Sequence, residues 1–153
     1  MKKQGGFDCL NCGQRVPFSE FIGTKYRNHC PFCLWSKHVD FDKAGDRKAG
    51  CQTKMKPLGL TFKREGKDKY GSVRQGELML IHECLGCARV SLNRIAGDDD
   101  PKTILNVFKE SRKLPPAKKK KLEQSNIRLL TEDKAKDITV QLFGKIPKLD
   151  KNI

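Results

Sequence analysis

The run Tyr26-Arg-Asn-His-Cys-Pro-Phe-Cys-Leu-Trp-Ser-Lys-His-Val-Asp40 holds a complete thiol pair, two of the three histidines and the only tryptophan of a 153-residue chain. Within it Cys30 and Cys33 form a C-x-x-C knuckle, and Pro31 fixes the backbone so that both sulfurs can face one ion. Similar pairs lie on either side. Cys9 and Cys12 precede it by seventeen intervening residues, Cys84 and Cys87 follow after fifty, and Cys51 is left as the single unpaired thiol. Three pairs and one odd cysteine imply two metal sites.

A structural zinc ion takes four ligands in a tetrahedron, about 2.3 Å from sulfur and about 2.0 Å from imidazole nitrogen. Seven cysteines fall one short of two such sites, so a histidine is expected as the eighth ligand. His38 ranks first because it lies free of both neighbouring pairs. His29 adjoins Cys30, where its ring would point away from the ion its neighbour binds. His82 lies two residues before Cys84, shares that cysteine's face of a strand, and stays a candidate. The spacing from Cys9 to Cys33 matches a zinc ribbon, which leaves His38, Cys51, Cys84 and Cys87 for the second ion. An interlaced pairing of Cys30 and Cys33 with Cys84 and Cys87 stays open on sequence grounds.

Other cysteine chemistries fit less well. Disulfides need an oxidising compartment and would leave one of seven thiols over. A redox C-x-x-C opens a helix in a β-α-β unit, and no pair here follows such a pattern. Catalytic zinc keeps a coordination position open, whereas sets of four cysteines, or of three cysteines and a histidine, are closed. Both ions are therefore read as structural.

With 37% hydrophobic and 7% aromatic residues, the chain has material for one modest domain and an appendage. Small domains bury too little surface to rest on packing alone, and metal is a common substitute. No apolar run approaches the roughly twenty residues that span a bilayer, and the Lys2-Lys3 start lacks the apolar segment of a signal peptide. Together with seven reduced thiols, this predicts a cytoplasmic protein. The formal net charge is +14, from 32 Lys and Arg against 18 Asp and Glu. Seven thiolates on two Zn²⁺ ions would lower it only to +11, and residues 101–153 alone carry +8. Such a balance favours a polyanionic partner, nucleic acid foremost.

Apolar alternation places short strands at Val16 and Phe18, at Val39 and Phe41 (with His38, Asp40 and Asp42 on the polar face), at Leu58 to Phe62, at Leu78 to Ile81, and at Val90 and Leu92. Asp40 is a candidate acceptor for the second nitrogen of a metal-bound His38. Gly66 to Gly71 reads as a charged turn. Asp100 is a natural N-cap with Pro101 at the first helical position. The helix that follows has Ile104, Leu105 and Phe108 on one face and should dock on the sheet. Ala117 to Lys121, four lysines after a diproline, reads as an extended, mobile linker. Thr131 opens a last helix with Ala135, Ile138 and Leu142 at helical spacing. The fold expected is thus a small α+β zinc-binding fold. Residues 1–100 form an antiparallel β-sheet with zinc knuckles at its ends, zinc-ribbon-like, and residues 101–153 a basic helical extension with a Lys-rich linker at 115–121.

Tyr26-Arg-Asn-His-Cys-Pro with Leu34-Trp-Ser36 and His38-Val-Asp40 opens an ordered set of motifs. Gly45-Asp-Arg47, Cys51, Met55-x-Pro57, Cys84-x-x-Cys87 and Asn93-Arg-Ile-Ala-Gly-Asp-Asp99 follow. Over roughly residues 6 to 100 the chain resembles the RNHCP domain family. That resemblance implies a small zinc-binding-like domain without an assigned activity.

The function expected from the residues is non-catalytic binding of structured RNA, ribosomal RNA above all, with zinc knuckles aiming cations at phosphates. Candidate contacts are Lys25, Arg27, Trp35, Lys37, Arg47, Lys48, Arg94 and the run Lys118, Lys119, Lys120 and Lys121, because a ring beside cations suits bases beside phosphates. One alternative is a zinc-ribbon module of a transcription or translation complex that docks a protein through the C-terminal helix. Another is a treble-clef nuclease using Asn28, His29 and the carboxylates Asp98 and Asp99, which would need an open metal position.

Overall fold

β-Branched and aliphatic residues at alternate positions build the centre of the molecule. In a computed structural model, which describes residues 7–16, 29–38, 50–63, 76–96 and 99–143, they form a four-stranded antiparallel sheet. Its strands are β3 (Ser36–Lys37), β4 (Lys54–Phe62), β5 (Leu78–Cys84) and β6 (Val90–Arg94), paired in that order. Phe7–Asp8 (β1) and Arg15–Val16 (β2) make a separate two-stranded sheet around the first knuckle. The expected strand positions Phe18, Val39 and Phe41, the Asp40 acceptor and the turn at 66–71 lie outside the described residues.

Successive side chains of a strand point to opposite faces, and each face of the large sheet is covered in part by an apolar cluster. On one, Leu60, Leu78 and Leu80 pack with Leu34 against Ile104, Val107 and Phe108 of helix α1 (Pro101–Glu110), with Leu130, and with Ile138 of helix α3 (Ala135–Phe143). On the other, Ile81 and Leu58, which a register shift between Pro57 and Gly59 separates from the face of Leu60, meet Leu122 of helix α2 (Pro116–Gln124). Helix α1 starts as its sequence demands. Asp100 accepts from the backbone N–H of Lys102, and Pro101 occupies the first turn, where no N–H is required.

The lysine run corrects the sequence reading. Residues 115–121 are not an extended linker, because Pro116 to Gln124 is helical and Leu122 is fully buried. Lys118 and Lys121, three residues apart on one helix face, both reach Glu83 of β5, the latter at 2.8 Å. A buried carboxylate needs cationic partners, and the helix supplies two. The chain then passes along the edge of β4, where the Leu130 N–H donates to the Leu60 carbonyl at 2.9 Å. The extension thus shares its apolar core with the sheet.

Candidate metal centres

All three C-x-x-C segments fold into one backbone shape. In each, the N–H of the residue four beyond the first cysteine donates to that cysteine's carbonyl: Gly13 to Cys9, Leu34 to Cys30, Ala88 to Cys84. The same residue has a positive φ of 79°, 68° or 66°. Leu34 and Ala88 each accept roughly 1–2 kcal/mol of left-handed strain in doing so. The turn aims N–H groups at sulfur. Asn11 and Cys12 point at Cys9 Sγ (3.3 and 3.4 Å), Phe32 at Cys30 Sγ (3.3 Å), and Gly86 and Cys87 at Cys84 Sγ (3.4 and 3.5 Å). Donors in that position favour thiolate over thiol.

The eight residues selected by spacing converge in two groups of four, with all ligand atoms of a group within 4.8 Å of one another. Cys9, Cys12, Cys30 and Cys33 form the first, which rules out the interlaced pairing; His38, Cys51, Cys84 and Cys87 form the second. Four sulfurs around one zinc sit about 3.8 Å apart, the tetrahedral edge for a 2.3 Å bond. Observed separations are 3.6 Å for Cys9 to Cys33, 3.6 Å for Cys12 to Cys30 and 3.4 Å for Cys51 to Cys84. In the second group the ligand atom of His38 is Nδ1, 3.3 Å from Cys87 Sγ. Both groups fit zinc in donor type, number and spacing.

The groups are assembled differently. Two knuckles face each other in the first, packed against Phe7 and Val16. In the second, the ends of the sheet deliver the ligands. His38 follows β3, and its backbone N–H and carbonyl bond Thr53 and Gln52 beside Cys51, while Cys84 closes β5 opposite Met55 of β4. Gly86 is required there, since a Cβ would stand 2.9 Å from Cys51 Sγ and 2.7 Å from Thr53 Oγ1. Acidity follows the surroundings. Burial pushes the Cys30 thiol up to about 12, whereas hydrogen bonds with Thr53, Cys84 and His38 bring Cys51 down to about 6.

The other two histidines hold the second knuckle and belong to neither ligand group. His82 is fully buried; Asn93 Nδ2 donates to its Nδ1 at 2.8 Å, so its Nε2 carries the proton that is donated to the Leu34 carbonyl at 2.6 Å. Burial, and next the nearby His29, bring its pKa down to about 3. His29 Nε2 donates to Asp99 Oδ2 at 2.7 Å, and that oxygen also accepts the Ala96 N–H at 2.8 Å. The Asp100 N–H reaches the Pro31 carbonyl at 3.1 Å. Spacing alone misses this buried network, although its members His29, Asn93 and Asp99 all lie in the quoted family motifs.

Of the candidate nucleic-acid contacts, Lys25, Arg27, Arg47 and Lys48 lie outside the described residues, as does Asp98. Trp35 is half-buried with Lys54 Nζ 5.4 Å over its ring, and Lys37 is half-buried beside it on β3. Arg94 pairs with Glu77 at 3.1 Å, Lys119 reaches the Arg112 carbonyl, and Lys120 is exposed. Lys118 and Lys121 are held on Glu83, whose pKa burial raises but these two ammonium groups bring to a net lowered value. No helix of the described residues is long and apolar enough to cross a membrane.

The family model described as the RNHCP domain matches residues 4–105. That range takes in both ligand groups, the whole sheet and the start of α1. No match was found among curated proteins or among solved structures.

Proposed function

Because the chain belongs to the RNHCP domain family, whose region here carries two closed zinc sites, we propose that it is a non-catalytic, cytoplasmic zinc protein that binds structured RNA, ribosomal RNA foremost. The observation that carries this reading is the pairing of complete four-ligand metal sites with a large cationic surplus. A closed tetrahedron has no place for substrate or activated water. Asp99, one of the carboxylates a nuclease would need, is buried against His29 and the Ala96 N–H. Asp100, its neighbour, caps α1. What is left for the chain to offer a partner is a rigid surface rich in positive charge, which suits phosphate backbones.

A second reading, a zinc module that docks a protein, is favoured by one feature. Each knuckle exposes an apolar tip: Leu10 (50%), Phe32 (47%) and Leu85 (52%). Crosslinking the tagged full-length protein in cells and sequencing the attached nucleic acid separates the two. Enrichment of one structured RNA, with complexes that fall apart under ribonuclease, is expected. Nuclease-resistant complexes without crosslinked RNA would assign the protein-docking role instead.

A further inference from the structure

We propose that the sheet face bearing Trp35, Lys37, Lys54 and Lys56 is a binding site for an unpaired segment of RNA, with phosphates on the lysines and a base against the indole. This rests on the RNA reading above and locates it. Lys37 of β3 lies directly opposite Lys54 of β4. Like charges in that register oppose pairing, so the sheet carries a cost that an anion would remove. Lys56 is two residues along β4 on the same face, exposed, with Glu83 of β5 as its direct neighbour. That carboxylate does not neutralise the group, because Lys118 and Lys121 already engage both of its oxygens. Among the described residues no carboxylate pairs with Lys37, Lys54 or Lys56. Of these five lysines, only Lys118 and Lys121 reach a carboxylate among the described residues.

Trp35 stands in the middle of this field. It shares a face with Lys37 by alternation, and Lys54 Nζ lies 5.4 Å over its ring. An indole flanked by cations offers what successive nucleotides present, a π-face beside a phosphate, and stacking of that kind tolerates any base. Two of these cations, Lys54 and Lys56, are invisible to a reading that follows only the apolar positions of β4.

Trp35 is the only tryptophan, so its emission in the zinc-loaded full-length protein reports directly on this face. The probes are a twelve-nucleotide oligouridylate, a twelve-base-pair RNA duplex and polyglutamate. Oligouridylate should quench Trp35 saturably. Lys37→Gln with Lys54→Gln should weaken it at least tenfold in 0.1 M salt and flatten the slope of log K on log salt by about 1.4, two single-strand phosphate contacts. The melting temperature of that variant should be no lower than that of the wild type, which excludes unfolding as the cause. Lys109→Gln with Lys136→Gln removes the same charge from exposed positions elsewhere and should cost less than threefold. RNA binding without any change in Trp35 emission, or equal losses in both double variants, would overturn the site while leaving RNA binding intact. Quenching by polyglutamate that displaces the oligonucleotide would assign the face to an acidic peptide. Failure of both RNA probes to bind would bring down the RNA reading itself, and this site with it.

Discussion

The two metal sites use the same donor chemistry but stand on different supports. The Cys9, Cys12, Cys30 and Cys33 site joins two knuckles that belong to no common sheet, and its second knuckle is tied by carbonyls and side chains to distant parts of the chain: Leu34 to His82, Pro31 to Asp100, His29 to Asp99. The His38, Cys51, Cys84 and Cys87 site stands on strand ends already held in register by backbone hydrogen bonds. Exposure differs as well. Cys51 and Cys87 are both exposed, whereas at the first site only Cys12 is, with Cys9 and Cys30 buried and Cys33 intermediate. Exposure governs how fast an ion leaves, and anchoring governs what its loss does to the fold.

The largest effect expected is therefore ordered metal loss. A chelator should remove the ion at His38, Cys51, Cys84 and Cys87 first, with the sheet retained. Removal of the second ion should unfold the chain, since a structural zinc contributes on the order of 10 kcal/mol. Chelator kinetics followed alongside amide exchange would show two phases, and only the slow one should release the amides of β4 and β5. A single phase, or early loss at the knuckle pair, would erase the distinction drawn between the sites.

Smaller effects probe the ties themselves. Asp99→Ala leaves the buried His29 Nε2–H without its acceptor and should cost about 1–3 kcal/mol, lowering the melting temperature without changing zinc content. His82 offers a pH readout. Its folded pKa of about 3 lies below the ordinary 6.5, so the unfolded chain takes up a proton that the folded chain refuses. Its contribution to stability is complete above about pH 6.5 and is lost progressively as the pH falls towards 3, by up to about 1.4 kcal/mol per unit. Nitrogen-detected NMR should find His82 neutral, with the proton on Nε2, from pH 8 to pH 5.5. A titration midpoint near 6.5 would show that the ring is not the buried latch of the second knuckle.

The contrast between the sites also explains what sequence reading reaches. Knuckles are local, so spacing alone places all three, and counting ligands leaves one place that His38 fills. The latch is not local. His29 and Asp99 are 70 residues apart, and nothing in either neighbourhood marks them as partners. The lysine run misleads for a related reason: four cations hide the single apolar contact of Leu122, and the carboxylate that holds the helix, Glu83, lies 35 residues before Lys118. Composition describes the exposed face of α2, whereas docking is decided by the other.

The central claim, two separate closed sites with one histidine ligand, is tested most directly by native mass spectrometry of the zinc-loaded chain beside its His38→Ala and His82→Ala variants. The account predicts two ions in the wild type, two in folded His82→Ala, and retention of the ion at Cys9, Cys12, Cys30 and Cys33 with loss of the other in His38→Ala. One ion in the wild type, or two tightly held ions in His38→Ala, would contradict it.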